Sequence, residues 1–100
     1  MKLPHQKDRP TIEHVVNMVA DHLGTETASL TRKGRHRNRG REAVVLLARE
    51  LTTESLDALG HVLGGLSRSG VSELARRAEE RVNREPEFAA LVAELRRQLS

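Results

Sequence analysis

The densest chemistry in this chain is a run of ten residues with no apolar side chain, Arg32-Lys33-Gly34-Arg35-His36-Arg37-Asn38-Arg39-Gly40-Arg41. It holds six Lys+Arg and no acid. Six like charges in one segment repel each other unless a polyanion lies close. Arg32, Lys33, Arg35, Arg37, Arg39 and Arg41 are therefore candidates for phosphate contacts. Arginines in such a loop also suit a minor groove, where narrow A·T-rich stretches concentrate negative potential. A second cluster, Ser67-Arg68-Ser69-Gly70-Val71-Ser72 with Arg76 and Arg77 beyond it, combines short hydroxyls with guanidiniums. Arginine forks onto guanine, and serine reaches a phosphate or a base edge.

Other chemistries lack their parts. Gly65 to Ser72 mimics the glycine and serine spacing of a phosphate loop, but Val71 stands where the lysine is required. No strand is expected before it, so no nucleotide site is expected. The five histidines (His5, His14, His22, His36, His61) form no i, i+4 pair, and there is no cysteine to supply a thiolate. Neither a metal nor a cofactor is expected. With no activated nucleophile or paired base, the chain is not read as an enzyme.

The charge balance is uneven. The chain carries 17 Lys+Arg against 14 Asp+Glu, a net +3. Residues 1–41 hold 9 Lys+Arg and 4 Asp+Glu, whereas residues 42–100 hold 8 and 10. One end is thus directed at a polyanion, while the arginines and glutamates of the second half read as decoration of solvated helix faces. Phe88 is the sole aromatic residue, which removes the usual stacking platform for single-stranded nucleic acid and points to duplex DNA. The apolar runs are too short to span a membrane, and the N-terminus has no signal-like apolar core. The cytoplasm is the expected compartment.

These groups need helices to position them. Residues 1–10 read as a flexible arm and 11–100 as one domain. Thr11 is a candidate N-cap for a helix carrying Ile12, Val15, Val16, Val19 and Leu23, which Gly24 closes. A short turn, Thr27 to Leu30, follows with Thr27 as its cap, and then the basic run as a loop. Val44, Leu47, Ala48 and Leu51 mark a helix ending near Thr52. Ser55 caps a short helix with Leu56, Leu59, Val62 and Leu63, which Gly64-Gly65 breaks. The next helix starts near Ser67, and an interruption is expected from Asn83 to Pro86. Phe88, Leu91, Val92, Leu95 and Leu99 define the last helix, with Pro86 suited to its first position. The expected class is all-α, about five to six helices.

Short helix, glycine turn, longer helix is how a helix-turn-helix reads, here over Ser55 to Val82. At about 100° per residue from Arg68, Val71, Leu74, Ala75, Ala78 and Val82 fall on an arc from about 240° to 340°. Arg68, Ser69, Ser72 and Arg76 fall between about 0° and 100°. One face is core, and the other offers groups for a major groove. The helix start adds free N–H groups and a positive dipole end that favour phosphate. Gly70, a poor helix former, leaves room for close approach to a DNA backbone.

The stretch Ala48-Arg49-Glu50-Leu51-Thr52, Ser55-Leu56, Leu59-Gly60 and Leu63-Gly64-Gly65 resembles the C-terminal DNA-binding domain of the bacterial replication initiator DnaA. The resemblance runs from Ile12 to about Leu99 and includes the basic run. It implies a Trp-repressor-like helix-turn-helix fold. After the Gly-Gly pair that family has a variable residue, then Asp, His, two Ser/Thr and Val. Gly64, Gly65, Ser69 and Val71 match, and Ser67, Arg68 and Gly70 depart. The family reads bases from the Asp, His and first Thr positions, here Ser67, Arg68 and Ser69, so the initiator's own target sequence does not carry over. The resemblance further implies a minor-groove arginine at or next to Lys33 and Arg35, and phosphate contacts at Arg41 and Arg77. The run Leu66 to Ser72 and the tail Arg84-Glu85-Pro86-Glu87 also resemble the same domain appended to transposases of the repeat-associated, IS200-like kind. Their nuclease needs a tyrosine nucleophile, and this chain has none.

The favoured expectation is a sequence-preferring binder of double-stranded DNA, monomeric or part of a larger protein. It reads bases with Ser67, Arg68, Ser69 and Ser72. Backbone or minor-groove contacts come from Arg32, Lys33, Arg35, Arg37, Arg39, Arg41, Gly70, Arg76 and Arg77. The alternative is a helical protein-interaction module in which Leu66 and the last helix dock onto a partner.

Overall fold

A computed structural model describes residues 10–32 and 38–99. The expected arm, apart from Pro10, and the loop positions Lys33, Arg35 and Arg37 lie outside the described residues. Six helices follow in order: α1 (Ile12–Leu23), α2 (Thr27–Thr31), α3 (Arg39–Leu51), α4 (Leu56–Val62), α5 (Arg68–Arg84) and α6 (Pro86–Leu99). The protein is all-α, with no strand among the described residues.

Helices α1, α3, α4 and α5 each begin where a polar side chain takes up an orphan N–H. Thr11 Oγ1 accepts from His14 N at 3.1 Å. The first N–H of α1, on Ile12, donates to Glu54 Oε2 at 2.8 Å, from the linker between α3 and α4. Gly24 ends α1 at φ 66°, returning its N–H to the last carbonyls. Thr27 is not a cap: α2 starts one residue earlier than expected, with Glu26 as its N-cap residue. The cause is Ser29, whose N–H (3.1 Å) and hydroxyl (2.8 Å) both donate to the Glu26 carbonyl.

The basic run is also not loop throughout. Asn38 Oδ1 accepts from Arg41 N at 3.1 Å, so Arg39, Gly40 and Arg41 form the first turn of α3. This helix is the hub of the bundle, packed against each of the other five. Ala43, Val44, Val45, Leu47 and Ala48 are all buried, a wider face than the expected stripe. Around it lie Val15 and Val19 of α1, Leu30 of α2, Leu59 of α4, Val71, Ala75 and Ala78 of α5, and Phe88, Val92 and Leu95 of α6.

The expectation of solvated charges in the second half fails at Arg81, which is 8% exposed. Its Nε donates to the buried Glu42 of α3, its Nη1 donates to Glu85 at 2.9 Å, and its guanidinium sits 5.6 Å from the Phe88 ring centre. Two carboxylates and a ring face replace the water this charge gives up. Asn83 and Arg84 remain helical, so the interruption between α5 and α6 shrinks to Glu85, with Pro86 as the first residue of α6.

Candidate nucleic-acid interface

The turn between α4 and α5 is set by close backbone approach. Ser55 Oγ caps α4 by accepting from Ala58 N at 3.0 Å. After Leu63 the chain passes through Gly64 (φ 97°) and Gly65 (φ 87°), conformations that strain any residue with a Cβ. Gly65 N and Leu66 N then both donate to the Gly60 carbonyl at 2.9 Å. A Cβ on Gly60 would lie 2.1 Å from the Leu66 carbonyl oxygen, so only glycine lets the turn fold back on α4. Leu59 and Leu63 on one side, and Val71 and Ala75 on the other, are buried beneath it.

The turn delivers α5 with its start exposed. Ser67 is the N-cap, its Oγ accepting from Gly70 N at 3.1 Å. Ser69, Ser72, Arg76 and Arg77 are exposed, and Val71, Ala75 and Ala78 face the core. Leu74 and Val82, expected inside, are half-buried. Gly70 is half-buried, and a Cβ there would meet Leu66 at 3.4 Å, an ordinary contact within the turn itself.

The arginines of this face are held by acids. Arg68 Nε donates to Asp57 Oδ1 at 2.9 Å and its Nη2 donates to Oδ2 at 3.1 Å, a two-point pair linking the first turns of α5 and α4. Hydrogen bonding from Arg68 holds the Asp57 carboxyl below the usual aspartate range. Arg76 donates to Glu73 and Glu80, and Arg77 reaches Glu73 at 3.4 Å. Donation from Arg76 likewise lowers the Glu73 pKa.

The stems of the basic run are clamped. Asn38 Nδ2 donates to Ser29 O at 3.2 Å, while Arg41 Nη1 donates to Leu30 O at 3.1 Å and Arg32 O at 2.7 Å. Gly40 sits so close to Leu30 that a Cβ would lie 2.2 Å from its Cδ2. Arg41, expected as a phosphate contact, is 7% exposed and turned inward to the carbonyls that end α2. Burial lowers its pKa. Its charge fixes the base of the run instead of projecting from it. Arg32 is exposed, and Arg39 pairs with Glu85 at 3.2 Å while its side chain remains 55% exposed. That pair places the exit of the run at the C-terminal end of α5, the end opposite Ser67 to Ser72.

No protein-family profile matches the chain. It is similar to a fraction of the chromosomal replication initiator DnaA. It is 25% identical over 100 residues to that of Wolinella succinogenes, covering 98% of this chain and 23% of the relative. With that of Lachnoclostridium phytofermentans the figures are 28% over 87 residues, 85% and 19%. With that of Caulobacter vibrioides they are 36% over 81 residues, 76% and 16%. The chain spans about a fifth of the length of the curated relatives it matches. These relatives are replication initiators, and the transposase resemblance has no counterpart among them.

Two features of the candidate site escaped sequence reasoning. Asp57 and Arg68 lie on different helices either side of the Gly64-Gly65 turn, so periodicity within one element does not pair them. The clamp on the basic run joins Asn38 and Arg41 to α2 carbonyls, and carbonyls leave no trace in composition.

Proposed function

We propose that this chain binds double-stranded DNA with sequence preference, in the context of replication initiation. The start of α5 enters the major groove, where Ser69, Ser72 and Arg68 face bases and Ser67 keeps its hydroxyl hydrogen for a phosphate or base edge. The basic run grips phosphates or the neighbouring minor groove through Arg32, Lys33, Arg35, Arg37 and Arg39. Arg76 and Arg77 touch phosphates only by giving up their acids.

The observation that carries this reading is the separation of the two basic features along one continuous helix, α5. From Ser67 to Glu85 is eighteen steps of about 1.5 Å, or roughly 27 Å. That is most of one duplex turn of about 34–36 Å. One docked molecule can therefore reach two different grooves, bases at one and backbone at the other. Similarity to replication initiators over nearly the whole chain supports the same reading.

The protein-interaction alternative finds little apolar material. Leu23 and Leu56 are the large hydrophobics exposed among the described residues, and they do not include Leu66 or any residue of α6.

The test is selection of bound duplexes from a random pool, followed by affinity against salt. A binder of this kind enriches a site and loses affinity steeply as salt rises, by about 0.9 in log–log slope per phosphate neutralised. No enriched site and a flat salt dependence refute it.

A further inference from the structure

We propose that Asp57 is a specificity-determining residue: it positions Arg68 so that the guanidinium reads a guanine at the step reached by the start of α5. This inference rests on the DNA-binding reading above.

Arg68 meets Asp57 side-on. The carboxylate takes Nε and one hydrogen of Nη2. A guanidinium has a second pair of parallel donors at its far end, formed by Nη1 and the other hydrogen of Nη2. Among the described residues Nη1 makes no hydrogen bond, and the Arg68 side chain is 71% exposed. This end-on edge is the donor pair that fits O6 and N7 of guanine in the major groove. The same guanidinium can hold both acceptors at once, with the carboxylate on its side and the base at its end.

The pair has little stabilising role of its own. Both partners are largely exposed, 71% and 66%, and exposed ion pairs contribute little to folding. What the pair does is restrict a long, rotatable side chain to one direction before DNA arrives, which lowers the ordering cost of the contact. Asp57 also places a negative charge beside a face meant for a polyanion. That charge weakens binding to any duplex, so its net value lies in discrimination. Removing it should raise general affinity while lowering selectivity, a combination that a purely structural residue does not produce.

The test starts from the duplex selected by the wild-type chain, with each guanine replaced in turn by 7-deazaguanine, which keeps base pairing but removes the N7 acceptor. Wild type should show one guanine whose replacement weakens binding, and Arg68→Ala should be indifferent to it. In Asp57→Ala that penalty should shrink by roughly two- to twelvefold, the worth of immobilising one such side chain. Asp57→Asn, which keeps the size and one acceptor, should fall between. Affinity for random duplex should be equal or higher in both. Adding Asp57→Ala to Arg68→Ala should change the penalty no further. A full penalty retained in Asp57→Ala overturns the positioning role. A selected site with no sensitive guanine, or one still sensitive in Arg68→Ala, overturns the guanine contact. Failure of wild type to enrich any duplex refutes the DNA-binding reading itself, and it does so before any variant is made.

Discussion

Gly60→Ala should be the most damaging single methyl in the α4–α5 unit. The added Cβ would lie 2.1 Å from Leu66 O, 3.2 Å from Leu66 C and 3.3 Å from Val71 Cγ2. The nearest of these is backbone, which no rotamer change relieves, so the Leu66 carbonyl must retreat by roughly 1 Å to reach an ordinary contact. Retreat pulls on the two 2.9 Å bonds from Gly65 N and Leu66 N to Gly60 O. Weakening both costs about 1–2 kcal/mol, and overpacking adds about 1–3 kcal/mol. The better helix propensity of alanine returns about 1 kcal/mol. The net loss is about 1–4 kcal/mol, which lowers the melting temperature by about 4–8 °C per kcal/mol in a domain of this size. Thermal melting followed by circular dichroism measures it, with Gly65→Ala alongside. Gly65 has no atom within 4 Å of an added Cβ and suffers only the strain of its positive φ, about 1–2 kcal/mol. The central expectation is that Gly60→Ala melts below Gly65→Ala. A Gly60→Ala protein that melts with wild type would refute the claim that close approach, and not glycine flexibility, shapes this turn.

Glu42→Ala leaves the buried Arg81 with Glu85 as its remaining carboxylate partner. Urea unfolding should show a loss of about 3 kcal/mol, largely restored when Arg81→Met is added. Ser67→Ala removes the α5 cap and should cost about 1 kcal/mol of stability. Ser69→Ala and Ser72→Ala should stay within about 0.5 kcal/mol and act on duplex binding alone, read by paired melting and fluorescence anisotropy. Replacing Lys33, Arg35 and Arg37 together by alanine should reduce the salt slope of duplex binding by about 0.9 for each phosphate that is no longer neutralised. A slope unchanged from wild type would count against the basic run.

The helices were legible where one strong local signal stood alone. Thr11, the valine stripe and Gly24 delimit α1, and Ser55, Gly64-Gly65 and Ser67 delimit the α4–α5 unit. Misreadings arose where two signals competed. At Arg39 to Arg41 two glycines, an asparagine and the lack of apolar residues argued for loop, yet that asparagine, Asn38, caps a helix. At α2 a plausible cap, Thr27, lost to the hydroxyl of Ser29. Arg81 sits at about 220° on the α5 wheel, on the flank of the core arc, so its position hinted at burial. Its partner Glu42 lies thirty-nine residues away, and nothing local links them. The candidate site divides in the same way: residue types are visible in sequence, but pairings such as Asp57 with Arg68 exist only once the turn has closed.

Those pairings change what α5 can contribute. Arg68, Arg76 and Arg77 each face a carboxylate, so the helix offers directed hydrogen bonds with little net charge. The surplus of positive charge lies instead in residues 1–41, before the start of the α4–α5 unit. Charge attracts any duplex alike, whereas directed donors distinguish bases. On the proposed DNA-binding reading, affinity and selectivity therefore reside in different parts of the chain. Neutralising the basic run should weaken binding to every duplex while leaving the order of preferred sequences intact, and changes at Asp57 or Arg68 should reorder preferences while shifting the salt slope by no more than about 0.9, one phosphate's worth.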